Sequence, residues 1–533
     1  MSAGKKIEIL DSTLRDGAQA EDVSFSLDDK LAITEALDDF GVHYIEGGFP
    51  GSNPRDEAYF REVKKLNLKN AMVTAFGSTH HPRKKVSDDK GVKLLLTSGA
   101  PCVTVFGKSW DMQATEVLSI SKKRNLEIIH DTIAYVKKRV DKVVFDAEHF
   151  FDGFLANPEY AMETLQAAQE AGADWLALCE TNGGLLHFDV GEIVATVIAR
   201  MPDSQIGVHC HNDTESGVAN TLAGAHSGAR QVHGTINGIG ERCGNANLCS
   251  VIPDLQLKMG YKCVSAANLK KVLKLSDLVF ELANLSPRPH QPYVGKSAFA
   301  HKGGLHVAAV RKKSSSYEHI RPETVGARRR VLVSDLSGRG NVLAKAEEFG
   351  IDLKGKDKTT IKILNELKEL ESQGFEFEGA EASFELLIRK AAGQWKKKFD
   401  VVRARVVSSF SNEAGDNWAE AVIKLRLPNG ETTHSVAEGN GPVNALDKAA
   451  RKALVESYPE LSDVELHDFK VRLMDNLKTA SMTRVLIESG DGAERWSTVG
   501  LSANVIEASW QALLDSLEYK LHRPKKKTRG KKK

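Results

Sequence analysis

Alternating strand-like and helix-like segments in the first 260 residues constrain the fold of this chain more than any other feature of its sequence. Short apolar runs rich in β-branched and aromatic residues recur eight times, and a longer stretch with helical spacing follows each run. The runs are IEIL (7–10), HYIEGGF (43–49), MVTAFG (72–77), CVTVFG (102–107), KVVFDAE (142–148), WLALCE (175–180), QIGVHCH (205–211) and QVHGTING (231–238).

This alternation predicts a parallel α/β sheet, because strands joined by crossover helices run in the same direction. Eight such units match a (β/α)₈ TIM barrel, which we predict over residues 1–275. A doubly wound open sheet is the alternative. Asn157 and Pro158 are expected to start one crossover helix, and Gly172 is expected to end it.

The rest of the chain is predicted to form three further segments. Residues 276–378 read as helical linker subdomains, in which histidines beside glycines indicate a functional segment. Residues 379–520 read as a pseudo-symmetric α+β regulatory domain. In that domain, strand-like FELLIR, FDVVRARVVSSF and AEAVIKLRL precede one long helix, and VRLMD and MTRVLIES precede another. Residues 521–533 read as a basic, disordered tail.

Composition and charge exclude several classes of protein. Apolar residues make up 41% of the chain, yet no apolar run reaches the roughly 18 residues of a membrane-spanning helix. MSAGKKIEIL lacks the apolar core of a secretory signal, and the six cysteines form no CxxC pair, so we expect a cytoplasmic protein. The net charge of +2 owes its sign to the tail, so a nucleic-acid partner is not favoured.

Two histidines, His209 and His211, stand at the end of the seventh predicted strand in VHCHND (208–213). Side chains alternate along a strand, so both imidazoles are predicted to lie on one face, roughly 7 Å apart, where they could bind one ion. Barrel enzymes carry their chemistry at this carboxyl end. Two ordinary structural histidines are the alternative. Cys210, between them, and Cys243 are predicted to be packing residues.

Other segments bring possible ligands to the same end of the barrel. Asp16 follows the first strand in DSTLRDGAQ (11–19), and Asn245 lies in INGIGERCGNANL (236–248) after the eighth. One carboxylate, two imidazoles and one amide oxygen form a mixed site that suits Zn²⁺, Mn²⁺, Co²⁺, Fe²⁺ or Mg²⁺.

A ring of polar residues is predicted to surround these ligands. Arg15 can stabilise an oxyanion or a carboxylate, although a surface ion pair is the alternative. Glu46, at the end of the second strand, can bind a polar group of a substrate or support a neighbouring site residue. Glu148 ends the fifth strand and Thr181 follows the sixth. Each could instead cap a helix or hold a loop.

These segments together resemble the metal-dependent acyl-CoA condensing enzymes of the isopropylmalate, homocitrate and citramalate synthase family. The segments that carry the resemblance are DSTLRDGAQ, IEGGFPGSNP, VHCHND, NGIGERCGNANL, SAFAHKGGLH and VGLSANVIEASWQALLDS. They follow in order along almost the whole chain. DGAQ and AEHFFDG are similar to the citramalate synthase branch, whereas other branches usually have DGEQ.

The resemblance implies roles for matching residues. The implied divalent metal ligands are Asp16, His209, His211 and Asn245. Arg15 would polarise the carbonyl of a 2-oxo acid, Glu148 would orient or deprotonate an acetyl group, and Thr181 would hold the substrate carboxylate. His306 matches a histidine that enters the active site of the partner subunit, and Tyr317 is a looser match.

For activity, the resemblance implies condensation of acetyl-CoA with pyruvate to (R)-citramalate and CoA, on the route to isoleucine. It also implies a homodimer with a branched-chain amino-acid effector, isoleucine being favoured over leucine. Gly439 and Gly441 would bind that effector or serve a structural role.

Several rival functions stay open at this point. The nearest are 2-isopropylmalate and homocitrate synthases, which use other 2-oxo acids. A carbon–carbon lyase for acyl-CoA on the same barrel, a non-haem iron oxygenase and a non-enzymatic amino-acid sensor are more distant. The lyase would lack the segments after about residue 280, and the oxygenase usually has an antiparallel barrel.

Overall fold

The structure, a computed structural model, describes residues 4–410, 418–474 and 481–523. The described residues divide into two compact units. The first comprises the residues up to Phe299 together with His319–Arg329, and the second comprises the other described residues. No helix within these ranges is long and apolar enough to span a bilayer.

Parallel strands of the first unit close into a barrel, in which each strand pairs with its neighbours in chain order. The eight barrel strands of the described chain are β1 (Glu8–Asp11), β2 (Tyr44–Gly48), β3 (Met72–Ser78), β4 (Cys102–Lys108), β5 (Lys142–Glu148), β6 (Trp175–Glu180), β7 (Ile206–Cys210) and β8 (Gln231–Gly234). Glu8 pairs with Gln231 and Asp11 pairs with Gly234, so β8 returns to β1. The predicted TIM barrel is confirmed, and the open-sheet alternative is wrong.

Helices connect the strands and pack against the barrel. They are α1 (Leu27–Phe40), α2 (Pro54–Glu62), α3 (Lys90–Thr97), α4 (Lys122–Lys137), α5 (Phe150–Ala156), α6 (Pro158–Glu170), α7 (His187–Arg200), α8 (Gly217–Ser227), α9 (Leu248–Pro253), α10 (Ala266–Leu269) and α11 (Val272–Leu282). The start of α6 is as predicted. The Asn157 side chain accepts a hydrogen bond from the backbone N–H of Tyr160, and Pro158 takes the first helical position.

Side chains alternate along each barrel strand between the interior and the surrounding helices. On β5, Val143 and Phe145 join the large core shared with the helices, whereas Val144 belongs to a separate interior cluster. Asp146 and Glu148 follow Val144 at the same spacing of two residues. The interior face therefore changes from apolar to polar toward the carboxyl end, where the candidate site lies.

Two strands at this end stop earlier than predicted. β7 ends at Cys210. The next residue, His211, pairs with Asn245 in an isolated antiparallel β-bridge. β8 ends at Gly234, because Ile236–Gly238 turns as a 3₁₀ helix in which Asn237 has a φ of 65°. This turn begins the loop that carries Asn245.

The second unit begins with a helical region. Its helices are α12 (Gly304–Lys312), α13 (Arg339–Glu348), α14 (Asp357–Gln373) and α15 (Glu381–Ala391), and its short paired strands are β9 (Ala300–His301) and β10 (Arg330–Val331). FELLIR was predicted as a strand, which is wrong, because it lies within α15. Every residue from Ala382 to Ile388 is buried, and a short apolar run of this kind is compatible with either a strand or a helix.

The C-terminal part of the second unit repeats one motif of three antiparallel strands and a helix. The elements are β11 (Asp400–Ser409), β12 (Trp418–Arg426), β13 (Thr432–Gly439) and α16 (Pro442–Leu454), then β14 (Glu465–Leu473), β15 (Thr483–Gly490), β16 (Arg495–Ser502) and α17 (Val505–His522). The pseudo-symmetric α+β architecture is therefore confirmed. Residues 524–533 of the predicted tail and Asp475 of VRLMD lie outside the described residues.

Candidate active site

His209 and His211 lie together at the carboxyl end of β7. Their side chains are buried, with 6% and 7% exposed, and their ring centroids are 5.2 Å apart. Nε2 of His209 is 3.4 Å from Oδ2 of Asp16, and Nε2 of His211 is 3.9 Å from the same oxygen. Both imidazoles thus face one carboxylate, as expected from their spacing of two residues.

Asn245 lies beside this group on the loop after β8. Its Nδ2 is 3.3 Å from Oδ2 of Asp16 and 3.2 Å from Nε2 of His209. Side chains from three separate parts of the barrel therefore meet at one point. The four candidate ligands that the sequence suggested are close neighbours in the fold.

The glycines around Asn245 explain why this loop can approach so closely. A Cβ atom on Gly240 would lie 1.9 Å from Oδ1 of Asn245. Gly244 has a φ of 94°, and a Cβ atom there would lie 2.0 Å from the backbone oxygen of Gly238. Only glycine combines that backbone angle with that approach, so the loop depends on its glycines.

The charge of Asp16 favours binding of a cation. Burial disfavours the charged form of Asp16, but Arg15 and His209 outweigh burial and hold the pKa of Asp16 well below its ordinary value. Burial and the neighbouring His209 lower the pKa of His211 to about 4, so this ring is neutral at neutral pH. A carboxylate and a neutral imidazole are the protonation states that a metal requires. Asp16 outweighs burial and raises the pKa of His209, so a cation would compete with a proton at this ring.

Unsatisfied polar atoms provide a second test of whether the residues suit a metal. Among the described residues, these buried side-chain atoms have no hydrogen-bond partner: Oδ1 of Asp16, Nδ1 of His209, Nδ1 of His211 and Oδ1 of Asn245. Buried polar atoms are normally paired. One ligand atom from each of Asp16, His209 and His211 lies within 4.8 Å of the others. The group therefore fits a divalent cation that prefers nitrogen and oxygen ligands.

Arg15 is held on three sides next to Asp16. Its Nε donates to Oε2 of Glu46 at 2.5 Å, its Nη1 donates to Oδ2 of Asp16 at 3.0 Å, and its guanidinium lies 3.8 Å from the ring centroid of Phe76. Glu46 and Asp16 outweigh burial and raise the pKa of Arg15. Only 12% of its side chain is exposed, so a surface ion pair does not describe it.

A cavity of about 250 Å³ opens beside these residues. The rings of Phe49, Phe76 and Phe106 line part of its wall, and Glu148 and Thr181 line another part. The stacked rings of Phe76 and Phe106 have centroids 5.1 Å apart. The cavity thus offers a compact apolar surface next to a cluster of charged and polar groups.

Glu148 and Thr181 also have partners at the cavity. Lys108, at the end of β4, forms an ion pair with Glu148. The hydroxyl of Thr181 accepts a hydrogen bond from the backbone N–H of His149 at 2.9 Å. Thr181 therefore holds the loop after β5, as the sequence allowed, and still lines the cavity.

His306 and Tyr317 belong to the second unit, where their rings stack with centroids 4.2 Å apart. Both side chains are exposed. Gly439 ends β13, and Gly441 precedes the first residue of α16. A Cβ atom on Gly439 would lie 2.6 Å from the backbone nitrogen of Ala445, which supports a structural reason for this glycine.

Sequence reasoning missed Asp146, His233 and Lys108, which lie close to the predicted residues. The alternation of Val144, Asp146 and Glu148 on β5 was the signal that could have found Asp146. Cys243 was predicted to be a packing residue, which is wrong, because it is exposed. Cys210 is buried, as expected.

Comparison with protein families divides the chain as follows. Residues 6–279 match the HMGL-like family, residues 293–374 match the family described as homocitrate synthase post-HMGL domain-like, and residues 378–521 match the LeuA allosteric (dimerisation) domain. Curated relatives cover the chain more completely. The (R)-citramalate synthase of Aquifex aeolicus is 52% identical over 97% of this chain and 98% of its own length. The chain belongs to the citramalate synthase family.

Members of the citramalate synthase family from other bacteria are similarly close. The (R)-citramalate synthase of Geobacter sulfurreducens is 53% identical over 97% of this chain and 98% of its own length. A 2-isopropylmalate synthase from Methanocaldococcus jannaschii is 30% identical over 96% of this chain and 94% of its own length. The chain therefore resembles citramalate synthases more strongly than this isopropylmalate synthase.

Proposed function

We propose that this chain is an (R)-citramalate synthase, which condenses acetyl-CoA with pyruvate and releases CoA. The observation that carries the proposal is the identity of 52% to a synthase with this name over nearly the full length of both chains. The polar cavity at the carboxyl end of the barrel supports the same function, because it joins a candidate metal site to an arginine and a carboxylate.

Asp16, His209, His211 and Asn245 would hold the divalent cation. When bound, such a cation polarises the carbonyl and carboxylate oxygens of a 2-oxo acid. The unsatisfied oxygens of Asp16 and Asn245, and the Nε2 atoms of His209 and His211 that face Asp16, support this assignment. Zn²⁺, Mn²⁺, Co²⁺ and Mg²⁺ are all compatible with the donors.

Arg15 would stabilise the negative charge that forms on the carbonyl oxygen of pyruvate as the new carbon–carbon bond forms. Its guanidinium is always charged and is oriented by Glu46 and Asp16 before the substrate arrives. Preorganised donors of this kind contribute most where water is excluded. Glu46 therefore acts on the substrate mainly through Arg15.

Glu148 would accept the proton that leaves the methyl group of acetyl-CoA, or orient that group for another base. His306 is the second candidate base, because an imidazole can both accept and donate a proton. Tyr317 stacks on His306 and would orient its ring. Thr181 would donate its hydroxyl proton to the pyruvate carboxylate. Hydrolysis of the resulting citramalyl thioester then releases CoA.

The similarity to citramalate synthases favours pyruvate over larger 2-oxo acids. Pyruvate has a methyl group where 2-oxoisovalerate has an isopropyl group, and the rings of Phe49, Phe76 and Phe106 in the cavity wall would contact this group. Steady-state CoA release, measured in parallel with pyruvate, 2-oxoisovalerate and 2-oxoglutarate, tests the function. We expect the highest kcat/KM with pyruvate. A higher value with either of the other acids would replace the proposal with 2-isopropylmalate or homocitrate synthesis.

We also propose a homodimer that is regulated by isoleucine through the C-terminal region. The match of residues 378–521 to an allosteric dimerisation domain supports both parts. The dimer would bring His306 of one subunit to the active site of the other. Gly439 and Gly441 would bind the effector at the loop before α16. Thermal shift of the full chain with isoleucine and with leucine tests the effector: stabilisation by leucine alone would contradict it.

A further inference from the structure

Two buried ionisable residues lie next to His209 and have no role in the proposed reaction. Asp146 is on β5 and His233 is on β8, with side chains 5% and 1% exposed. One ligand atom from each of Asp146, His209 and His233 lies within 4.8 Å of the others. Because burial of a carboxylate and two imidazoles is costly, this group requires an explanation.

The two ring nitrogens of His209 have different surroundings. Nε2 faces Oδ2 of Asp16 at 3.4 Å and Nδ2 of Asn245 at 3.2 Å, on the side of the candidate metal site. Within the described part of the chain, Nδ1 of His209 has no hydrogen-bond partner, and neither has Oδ1 of Asp146. An unpaired buried donor and an unpaired buried acceptor thus belong to one cluster of side chains, and each could satisfy the other.

His233 packs beside both the His209 ring and the Asp146 carboxylate and limits their movement. Its ring packs edge-on against His209, with centroids 5.6 Å apart and an interplanar angle of 87°. Its Nδ1 lies 3.9 Å from Oδ1 of Asp146, and its Nε2 lies 2.8 Å from Oε1 of Gln231. His233 is therefore anchored on β8 and forms a wall beside the His209 ring and the Asp146 carboxylate.

We propose that Asp146 is a positioning residue for His209: its carboxylate accepts a hydrogen bond from Nδ1–H of His209 and so directs Nε2 toward the cation. The inference rests on the proposed metal site. A carboxylate behind a ligating imidazole selects the tautomer, restrains the ring and makes Nε2 a better electron donor. His233 supports the arrangement by packing, without itself binding the cation.

Cation binding by the full chain tests this role without measuring activity. Wild type, Asp146→Ala and Asp146→Asn would be stripped with a chelator and titrated with Co²⁺ against a chromogenic competitor, while the Co²⁺ absorption spectrum is recorded. Loss of the carboxylate is expected to weaken Co²⁺ binding about 10–100-fold in the alanine variant. The asparagine variant is expected to lose less Co²⁺ affinity than the alanine variant, because its amide oxygen can still accept the hydrogen bond from His209.

Thr104→Val provides the matched control. Thr104 is also buried in the barrel, and its hydroxyl is 3.1 Å from that of Thr74. This variant loses a buried polar group but should bind Co²⁺ like wild type, with the same spectrum. Circular dichroism and the thermal midpoint identify any variant that fails to fold, and the asparagine variant still tests the role if the alanine variant does not fold.

The possible failures are distinguishable. Binding by both Asp146 variants within twofold of wild type, with an unchanged spectrum, would overturn the positioning role and leave the proposed metal site intact. Equal weakening in the Thr104 variant would also overturn it, because the effect would then be general to the barrel. If wild type binds no Co²⁺, the proposed metal site itself is wrong and the role of Asp146 fails with it.

Discussion

Arg15 and Glu46 form a buried ion pair at the mouth of the barrel, with Nε of the arginine 2.5 Å from Oε2 of the glutamate. The pair uses one edge of the guanidinium, and Asp16 and Phe76 restrain the rest. The arginine is therefore oriented by three neighbours before any substrate binds. This arrangement reduces the reorganisation needed when charge develops in the cavity.

Arg15→Lys and Arg15→Ala are both expected to lower kcat about 10²–10³-fold. Lysine keeps the charge but cannot reproduce the planar donor arrangement, so it should not rescue activity. Affinity for the divalent cation, measured by titration of the stripped protein, should change only a few-fold. A lysine variant with near wild-type kcat would contradict an oriented role for the guanidinium.

His211→Ala is expected to weaken cation binding by at least about tenfold, and activity should be lost with it. Cys210→Ala is the matched control, since Cys210 is the preceding residue and is also buried, but packs in the core that the barrel shares with its helices. Isothermal titration with Mn²⁺ measures both variants. Unchanged Mn²⁺ affinity in the histidine variant would remove His211 from the ligand set.

Phe106→Ala is expected to shift the preference for 2-oxo acids. Removal of a ring that lines the cavity creates space for a branched side chain. We therefore expect kcat/KM for 2-oxoisovalerate to rise relative to that for pyruvate by at least roughly 10–200-fold, the range for one methylene group. Parallel CoA-release assays give the ratio. A ratio equal to that of wild type would show that this ring does not limit the substrate.

Glu180→Gln tests a pH effect on stability. Glu180 is buried at the end of β6, where Oε1 accepts a hydrogen bond from Gly184, and burial raises its pKa from 4.5 to about 7. Between pH 4.5 and about pH 7 the folded protein binds more protons than the unfolded chain, so the free energy of unfolding falls as the pH rises. Above about pH 7 the carboxyl is ionised in both states, and the free energy of unfolding stays at the lower value.

Glutamine does not titrate, so the Glu180→Gln variant should not lose stability as the pH rises. Its thermal midpoint relative to wild type is therefore expected to rise by a few degrees between about pH 5 and about pH 8. Differential scanning fluorimetry in matched buffers measures the difference. A difference that stays constant across this range would mean that Glu180 titrates at its ordinary pKa.

The barrel was predictable because buried parallel strands are short continuous apolar runs, and crossover helices separate them at regular intervals. The candidate ligands were also predictable in part: a spacing of two residues places His209 and His211 on one face, and the carboxyl ends of all strands meet at one opening. Asp16 was predictable because it follows the end of the first strand and so lies at the same opening.

Other features depend on three-dimensional neighbours that are distant in the sequence. Asp146 and His233 meet His209 across the barrel interior, and the alternation on β5 that marks Asp146 as inward-facing does not indicate these partners. The pair of Arg15 and Glu46 joins the loop after β1 to the end of β2. FELLIR was misread because burial on all sides removes the periodicity that distinguishes a helix from a strand.

The close packing of Gly240 and Gly244 around Asn245 has a practical consequence for anyone who wishes to alter this catalyst. Substitution of either glycine is expected to yield inactive protein, because a side chain at Gly240 displaces Asn245 and one at Gly244 displaces the backbone of Gly238. Libraries aimed at new substrates should instead vary Phe106, which lies on β4 and lines the cavity. The same barrel end thus combines a loop whose glycines cannot be replaced and a cavity wall that can be varied.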